Sequence, residues 1–313
     1  MKKYLLLGLA IVLMVSFGAV VSCVPATVKF PDSNLETAIR EAIDKPEGDI
    51  YPADLEELTS LRLDEIEVSD LSGLEHCPNL SELWLFKNQI DDISPLSSMT
   101  NLTKLFIAEN PISDISPLVS LTSLTSLTIG NSQISDLSPL ANLTKLQQLE
   151  LSGNQIKDLT PLASLTNLTQ LGLDGNQISD ISPLASLTNL TSLGLMLNQI
   201  DDVSPLASLT NMLTLDLSGN RITDVSPLGS LTNLTVLSIL GSPDGNQITD
   251  ISALGSLTNL TQLRLWNNQI SDISPLISLT KLRTLWILQG NPLSTESLNV
   301  YIPQLEERGV EVR

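Results

Sequence analysis

The sequence predicts an α/β solenoid, a stack of short coils with a parallel β-sheet on its concave face and 3-10 turns on its convex face. A segment of 22 residues recurs along most of the 313-residue chain. Each copy begins with apolar residues at alternating positions, which is the period of a half-buried strand. Most copies then contain a Ser-Pro step followed by leucine, and serine as N-cap with proline at the first helical position indicates one short helical turn.

The repeated unit reads LTxLxLxxNQISDISPLxSLTN. Copies begin every 22 residues from Leu58 to Leu234, and two more begin at Leu260 and Leu282. The period and the pattern LxxLxLxxN identify a leucine-rich repeat. Since one coil cannot bury its leucines alone, the copies must stack, and both ends of the stack need a cap.

Four segments follow from this organisation. We predict a leader over residues 1–23, a helical N-terminal cap over 28–57, eleven repeats over 58–291 and a helical C-terminal cap over 292–313.

Amphipathic patterns predict the cap elements. PDSNLETAIREAI has apolar residues at helical spacing and a start at Asp32 or Ser33. PADLEEL, from Pro52 to Leu58, predicts a second short helix. The stretch from Ser294 to Arg308 predicts a third, with Leu298, Tyr301, Ile302 and Leu305 on its buried face. Gly309 would end it, and the residues that follow could add a last strand.

The leader combines Lys2 and Lys3 with an apolar run from Leu5 to Val21. A charged segment before a short apolar run is typical of an export signal. The run ends in Val20-Val21-Ser22-Cys23, which is similar to the site where bacterial lipoproteins are lipidated on cysteine. We expect an exported protein held at the outer membrane face by a lipid on Cys23. Ordinary cleavage near Ala26 and an uncleaved anchor are the alternatives.

Charge and composition exclude several classes of function. The net charge of −19 argues against nucleic acid, whose binding depends on clustered lysine and arginine. His76 is the only histidine, and no serine or cysteine has a plausible histidine partner, so we predict no enzyme. Cys77 occupies a position that is apolar in later copies and reads as a small core residue.

An asparagine column follows the strands where the chain turns inward. A buried amide there can bond backbone groups of adjacent coils, which predicts a ladder of hydrogen bonds. The column contains Asn88, Asn110, Asn154, Asn176, Asn198, Asn220, Asn246 and Asn268. A second recurring asparagine lies in Asn-Leu-Thr triplets, which match a glycosylation sequon, but we interpret it as structural because it recurs with the repeat.

An aspartate column precedes the Ser-Pro steps. It contains Asp70, Asp92, Asp114, Asp136, Asp158, Asp180, Asp202, Asp224, Asp250 and Asp272. One interpretation is a row of Ca²⁺ sites, because hard cations bind several oxygens. The other is that each carboxylate accepts backbone and hydroxyl hydrogen bonds at the turn. No glycine-rich aspartate loop accompanies the column, so we favour the second interpretation and predict no metal or other cofactor.

Departures from the repeat concentrate where side chains should point out of the concave sheet. These positions hold all three tryptophans, and large aromatics on an exposed sheet are enriched at binding hot spots. The N-terminal aromatic cluster comprises Trp84, Phe86 and Phe106, with Lys87 and Lys104 nearby. The C-terminal aromatic cluster comprises Leu240, Arg264, Trp266, Trp286 and Leu288.

An inserted loop lies beside the second cluster. Six residues, LGSPDG, separate Ile239 from Asn246 where an ordinary copy has two, and the turn signal includes Asp244. We predict that Asp244 and both clusters bind a partner, since binding residues often sit on loops over rigid scaffolds. The alternative is that the aromatics pack on the caps, because both clusters lie near the ends of the stack.

The repeat, together with the cap sequence FPDSNLETAI, resembles bacterial internalin-like proteins from about Val28 to Arg313. The resemblance implies a curved right-handed solenoid that binds a protein partner on its concave face. Internalins that engage host receptors carry an immunoglobulin-like module after the repeats, and many carry a wall-sorting signal. This sequence shows neither, so a host-cell adhesion role is not expected to transfer.

Two functions are consistent with these observations. The first is an exported binding module that recognises a protein or a surface polymer on its concave face. The second is a structural envelope protein that self-associates through the same aromatic clusters.

Overall fold

A computed structural model describes residues 26–241 and 245–313. In this part of the chain, twelve parallel strands form one open sheet in which each strand pairs with the next in sequence order. The predicted fold class, a leucine-rich repeat solenoid, is confirmed. The strands are β1 Ser60–Arg62, β2 Glu82–Trp84, β3 Lys104–Phe106, β4 Ser126–Thr128, β5 Gln148–Glu150, β6 Gln170–Gly172, β7 Ser192–Gly194, β8 Thr214–Asp216, β9 Val236–Ser238, β10 Gln262–Arg264, β11 Thr284–Trp286 and β12 Glu311–Val312.

The register of the sheet equals the repeat length. Leu171 of β6 pairs with Leu193 of β7, and the same one-copy offset recurs between neighbouring repeats. The middle leucine of each of β1–β11 is buried, and so is the leucine or isoleucine that follows each of these strands. These side chains, with those of the convex turns, form one continuous aliphatic core. The residues on either side of the middle leucine lie on the outer face, as the period-2 pattern predicts, and all except Ser126 and Ser238 are at least partly exposed.

Short 3-10 turns lie on the convex side, one in the N-terminal cap and one in each of the first ten copies. They span Pro52–Leu55 in the N-terminal cap and then Leu74–His76, Ser94–Ser98, Ser116–Ser120, Ser138–Leu140, Thr160–Leu162, Ser182–Ser186, Ser204–Ser208, Ser226–Ser230, Ser252–Ser256 and Ser274–Ser278. The prediction that serine is the N-cap of these turns is wrong, because the serine is already the first residue of the turn. The aspartate two residues earlier accepts its N–H instead, as between Asp92 Oδ1 and Ser94 N at 2.8 Å.

The asparagine column forms the predicted ladder. Asn176 Oδ1 accepts the N–H of Ile156 at 3.0 Å, and its Nδ2 donates to the carbonyls of Leu151 and Leu173 at 3.1 and 3.0 Å. The other asparagines of the column make equivalent bonds, as Asn110 does, whereas the copy with Ser132 at this position lacks them and the Ile112 N–H bonds the Asn110 carbonyl. The Asn-Leu-Thr asparagine is also structural, since Asn189 Nδ2 donates to the carbonyl of Thr166 in the preceding coil at 2.8 Å.

Helix α1, Ser33–Ala42, covers the N-terminal end of the core. Asp32 caps it by accepting the N–H groups of Asn34 and Leu35, and Leu35 and Ile39 are fully buried. Asp32 Oδ2 also accepts the N–H of Ser69 at 2.8 Å, which joins the helix start to the first repeat. The segment PADLEEL contains the 3-10 turn Pro52–Leu55 rather than a longer helix.

Helix α2, Ile302–Glu307, covers the other end and continues from a wider π-helical segment, Ser297–Tyr301. Ile302 and Leu305 are buried as predicted, but the assignment of Leu298 to the buried face is wrong, because Leu298 is 47% exposed. The wider turn brings Ser297 inward instead, where its hydroxyl donates to the carbonyl of Ser271 at 2.7 Å. Strand β12 then pairs with β11, as expected.

Two predictions fall outside the described residues. The leader with Cys23 lies before residue 26, and Asp244 lies between residues 241 and 245. Within the described ranges, no helix is both long and apolar enough to cross a lipid bilayer.

Candidate docking face

The outward side chains of the concave sheet form two columns. The first column is the last residue of each of β1–β11, and the second lies two residues further along the chain. Between them stand buried leucines and isoleucines, such as Leu85 and Ile107, that hold the backbone in place. The columns therefore present their side chains on a rigid surface, which lowers the entropic cost of binding.

The N-terminal aromatic cluster is assembled by β2 and β3. Trp84 and Phe106 are register partners, and their rings stack with centroids 5.5 Å apart and planes 2° from parallel. Phe86 lies two residues after Trp84, and all three rings are partly exposed. Such offset stacking stabilises aromatic pairs by roughly 0.5–1.5 kcal/mol beyond their burial.

The two lysines of this cluster are paired with glutamates of the preceding coil. Lys104 Nζ lies 3.0 Å from Glu82 Oε1, and Lys87 Nζ lies 3.1 Å from Glu65 Oε2. The lysines and these glutamates therefore compensate one another, so this end of the face is apolar rather than basic.

The C-terminal aromatic cluster is assembled by β10 and β11. Trp266 and Trp286 meet edge to face with centroids 6.4 Å apart, and the Arg264 guanidinium lies 4.8 Å from the Trp286 ring centroid. Leu240 is partly exposed beside them, and Leu288 is 44% exposed.

The end of the chain contacts this second cluster. Trp266 Nε1 donates to the Arg313 carbonyl at 3.2 Å, and the Arg313 guanidinium lies 5.5 Å from the Trp286 ring centroid. The alternative that the aromatics pack on a cap therefore applies to Trp266 and Trp286 in part. The N-terminal cluster, built on strands β2 and β3, has no such contact with α1 among the aromatic and hydrogen-bonding interactions of the described residues.

A groove of about 300 Å³ lies between the clusters, over β3 to β7. This groove is not predicted from the sequence. Phe106 stands at one end, Glu150 and Asp174 stand toward the other, and Gly172 and Gly194 form part of the floor. Burial raises the pKa of the Asp174 carboxyl, and the neighbouring charges of Asp216 and Glu150 raise it further, against the lowering effect of the Met196 N–H.

The aspartate column is engaged in turn capping. Asp202 is representative: Oδ1 accepts the N–H of Ser204 at 2.8 Å and Oδ2 accepts its hydroxyl at 2.9 Å. These bonds lower the pKa of Asp202, with the backbone N–H as the largest lowering cause. The capping interpretation of the column is confirmed. In the described ranges, no group of three or more His, Cys, Asp or Glu side chains is arranged to hold a metal ion.

His76 and Cys77 lie at the N-terminal end of the convex side, away from the groove. His76 is exposed, with Nε2 3.9 Å from Glu75 Oε1. Cys77 is 2% exposed in the core, as predicted. Burial, with a smaller contribution from the charge of Glu75, raises the pKa of its thiol to about 12.

Comparisons with known proteins agree with this architecture. A family model described as Leucine Rich repeats (2 copies) matches residues 56–98, 100–208 and 210–300. The search of curated proteins finds no match.

Three solved structures of Listeria monocytogenes internalins are similar to the chain. The internalin InlF is 39% identical and has a TM-score of 0.79, with 93% of this chain and 92% of InlF covered. Internalin C2 is 40% identical with a TM-score of 0.66, covering 67% of this chain and 94% of its own. The functional domain of InlJ is 28% identical with a TM-score of 0.73, covering 84% and 56%. The chain belongs to the leucine-rich repeat family and, within it, to the internalin-like bacterial proteins.

Proposed function

We propose that this chain is the binding module of an exported bacterial protein and that a protein or surface polymer docks on its concave face. The observation that supports this most is the pair of partly exposed aromatic clusters on a rigid sheet. Aromatic and arginine side chains dominate binding energy at interfaces, whereas a stable monomer gains little from exposing them. The proposed contact residues are Trp84, Phe86, Lys87, Lys104, Phe106, Leu240, Asp244, Arg264, Trp266, Trp286 and Leu288.

The N-terminal cluster is the stronger half of this proposal. Trp84 and Phe106 stack on each other on a sheet face whose other side already contains the aliphatic core. Packing on a cap does not account for them, whereas part of the surface of Trp266 and Trp286 is used by Arg313. We therefore expect the N-terminal cluster to contribute more binding energy per ring.

Site-specific photo-crosslinking tests the docking face. A benzophenone amino acid replaces Trp84 in one variant and Val119, which is 51% exposed on the convex side, in a control variant. Each variant is expressed in the source organism. We expect a discrete adduct from position 84 and none from position 119. Equal adducts from both positions would show that the concave face is not the docking surface.

Self-association is the alternative for the same clusters. Sedimentation velocity of residues 26–313 at micromolar concentration separates the two functions. A monomer that still gives the adduct from position 84 supports a binding module. A dimer that Trp84→Ala dissociates would instead assign the cluster to self-assembly.

Export and lipidation form a separate proposal that rests on the leader and on Cys23. Mass spectrometry of the mature N-terminus tests it, and we expect the chain to begin at Cys23 with acyl chains attached. An unmodified terminus near Ala26 would replace the lipid anchor with secretion after ordinary cleavage.

A further inference from the structure

The central groove has a floor without side chains at two neighbouring positions. Gly172 and Gly194 are register partners on β6 and β7. Glu150 leans across Gly172, so that a Cβ on this glycine would overlap Glu150 Oε2. Asp174 leans across Gly194, where a Cβ would lie 2.7 Å from Asp174 Oδ2. Both carboxylates can occupy these positions only because the two residues are glycines.

Each carboxylate uses one oxygen within the protein and leaves the other facing the groove. Glu150 Oε1 accepts the N–H of Ser152 at 2.8 Å, and Asp174 Oδ1 accepts the N–H of Met196 at 2.6 Å. Their orientations are therefore held by the backbone. The remaining oxygens, Oε2 and Oδ2, lie over neighbouring strands, and strands are spaced about 4.8 Å apart.

Among the described residues, no basic side chain forms an ion pair with either carboxylate. In residues 26–241 and 245–313, every ion pair within 4.0 Å involves other acidic groups. The contrast with the N-terminal cluster is informative, since Glu65 and Glu82 are each paired with a lysine one coil later. A groove that is partly buried and negatively charged is complementary to a ligand that brings its own positive charge.

An aromatic wall closes the other end of the groove. One face of Phe106 stacks on Trp84, and the neighbour on its other side is the small residue Thr128 of β4. At the other end of the face, the place beside an aromatic ring is filled by a side chain of the adjacent strand, because Arg264 lies against the ring of Trp286, its register partner. In the groove, the corresponding place beside Phe106 contains only threonine.

We propose that this groove binds an arginine side chain of the docked partner, next to an apolar residue that packs on Phe106. The guanidinium lies over Gly172 and Gly194 and donates hydrogen bonds to Glu150 Oε2 and Asp174 Oδ2. The guanidinium presents several donors in one plane and is more weakly hydrated than the ammonium of lysine, which favours arginine in a partly buried site. Ca²⁺ requires six to eight oxygens, which two singly available carboxylate oxygens do not approach. This inference rests on the proposed function, because it names the chemistry of the partner.

The experiment uses residues 26–313 labelled with ¹⁵N and titrated with the dipeptide acetyl-Leu-Arg-amide. Glycine amides report the site directly, so the chemical shifts of Gly172 and Gly194 are followed. We expect saturable shifts at both, and at least about tenfold weaker binding of acetyl-Leu-citrulline-amide, which has the same shape without the charge. Glu150→Gln and Asp174→Asn should each weaken binding by a similar factor while keeping the backbone bond through the amide oxygen. Gly172→Ala should also weaken it, because the added Cβ displaces Glu150.

Glu109→Gln is the matched control, since Glu109 is an exposed glutamate outside the groove. Equal losses from Glu109→Gln and Glu150→Gln would reduce the effect to net charge and overturn the proposal. It is also overturned if citrulline binds as well as arginine, if CaCl₂ alone produces the same shifts, or if Gly172 and Gly194 do not respond. Because crosslinking through position 84 does not involve these carboxylates, a concave face that captures a partner while the dipeptide fails to bind removes only the arginine site.

Discussion

Replacing Asn176 by alanine removes one rung of the buried asparagine ladder. The side chain is 7% exposed and joins two successive coils, because it bonds Ile156 N and the Leu151 carbonyl of the preceding coil and the Leu173 carbonyl of its own coil. Asn189→Ala is the matched control, since Asn189 is exposed and makes one bond, to the carbonyl of Thr166. The two substitutions remove the same atoms from a single copy, the one that begins at Leu168.

The expected loss of unfolding free energy depends on which backbone groups lose their only hydrogen-bond partner. The carbonyls of Leu151 and Leu173 keep a second donor, from Asn154 and Asn198 respectively, each at 2.9 Å. The N–H of Ile156 keeps no other acceptor among the described residues and is buried. An unsatisfied buried group costs about 1–3 kcal/mol, and each lost neutral bond costs about 0.5–1.5 kcal/mol. We expect Asn176→Ala to lower the free energy of unfolding by about 2–4 kcal/mol, and the exposed control by about 0.5 kcal/mol.

Urea unfolding followed by tryptophan fluorescence and circular dichroism measures both variants. The tryptophans lie in repeats near the two ends of the stack, so agreement between the two signals checks that unfolding is cooperative along its length. A loss below about 1 kcal/mol for Asn176→Ala, or a loss equal to that of Asn189→Ala, would refute the assignment of the ladder as a main source of inter-coil stability.

Three further predictions concern titratable groups. The raised pKa of Asp174 means that its charge opposes folding above that pKa but not below the ordinary value of 3.8, where the group is protonated in both states. Asp174→Asn should therefore raise the Tm at pH 7 and leave it unchanged at pH 3, and an equal rise at both pH values would point to packing instead. The lowered pKa of Asp114 has the opposite sign, so its contribution is present above 3.8 and lost as the pH falls through the lowered value. Asp114→Asn should accordingly make the Tm less sensitive to acid between pH 5 and pH 2, and a steeper fall would contradict the capping role. The Cys77 thiol, with its pKa raised to about 12, should react with a disulfide reagent at pH 8 only after urea unfolds the chain; rapid reaction of the native protein would show that the first repeat opens locally.

The scaffold could be predicted from the sequence because each of its elements has a local cause. Alternating leucines determine which residues face inward, and the constant repeat length determines which residues become register partners. The position of Leu298 could not be predicted from helical spacing, because the π-helical segment before α2 widens the turn and brings Ser297 inward. The N-cap was misassigned for a related reason, since both serine and aspartate are good caps and only their geometry distinguishes them.

Only part of the candidate site could be predicted from the sequence. The aromatic columns could be identified because tryptophan is rare in the repeat, whereas the direction in which a carboxylate leans does not follow from its position. Some signals were present in the spacing: Glu65 precedes Lys87, and Glu82 precedes Lys104, by one repeat length. Glu150 likewise precedes Gly172 by one repeat length, which places a long acidic side chain beside an empty position. The contact of Arg313 with Trp286 joins distant parts of the chain and has no such spacing rule.

Because the sheet register equals the repeat length, each repeat advances the concave face by one strand spacing. The tryptophans of β2 and β11 stand nine strands apart, about 43 Å along the curve of the sheet. Deleting or duplicating one whole copy between them would change the separation of these two tryptophans by one strand spacing, about 4.8 Å. Each tryptophan would keep its own neighbours. A partner that contacts both aromatic clusters would therefore distinguish solenoids whose lengths differ by whole repeats. The number of copies would itself be part of what this partner recognises.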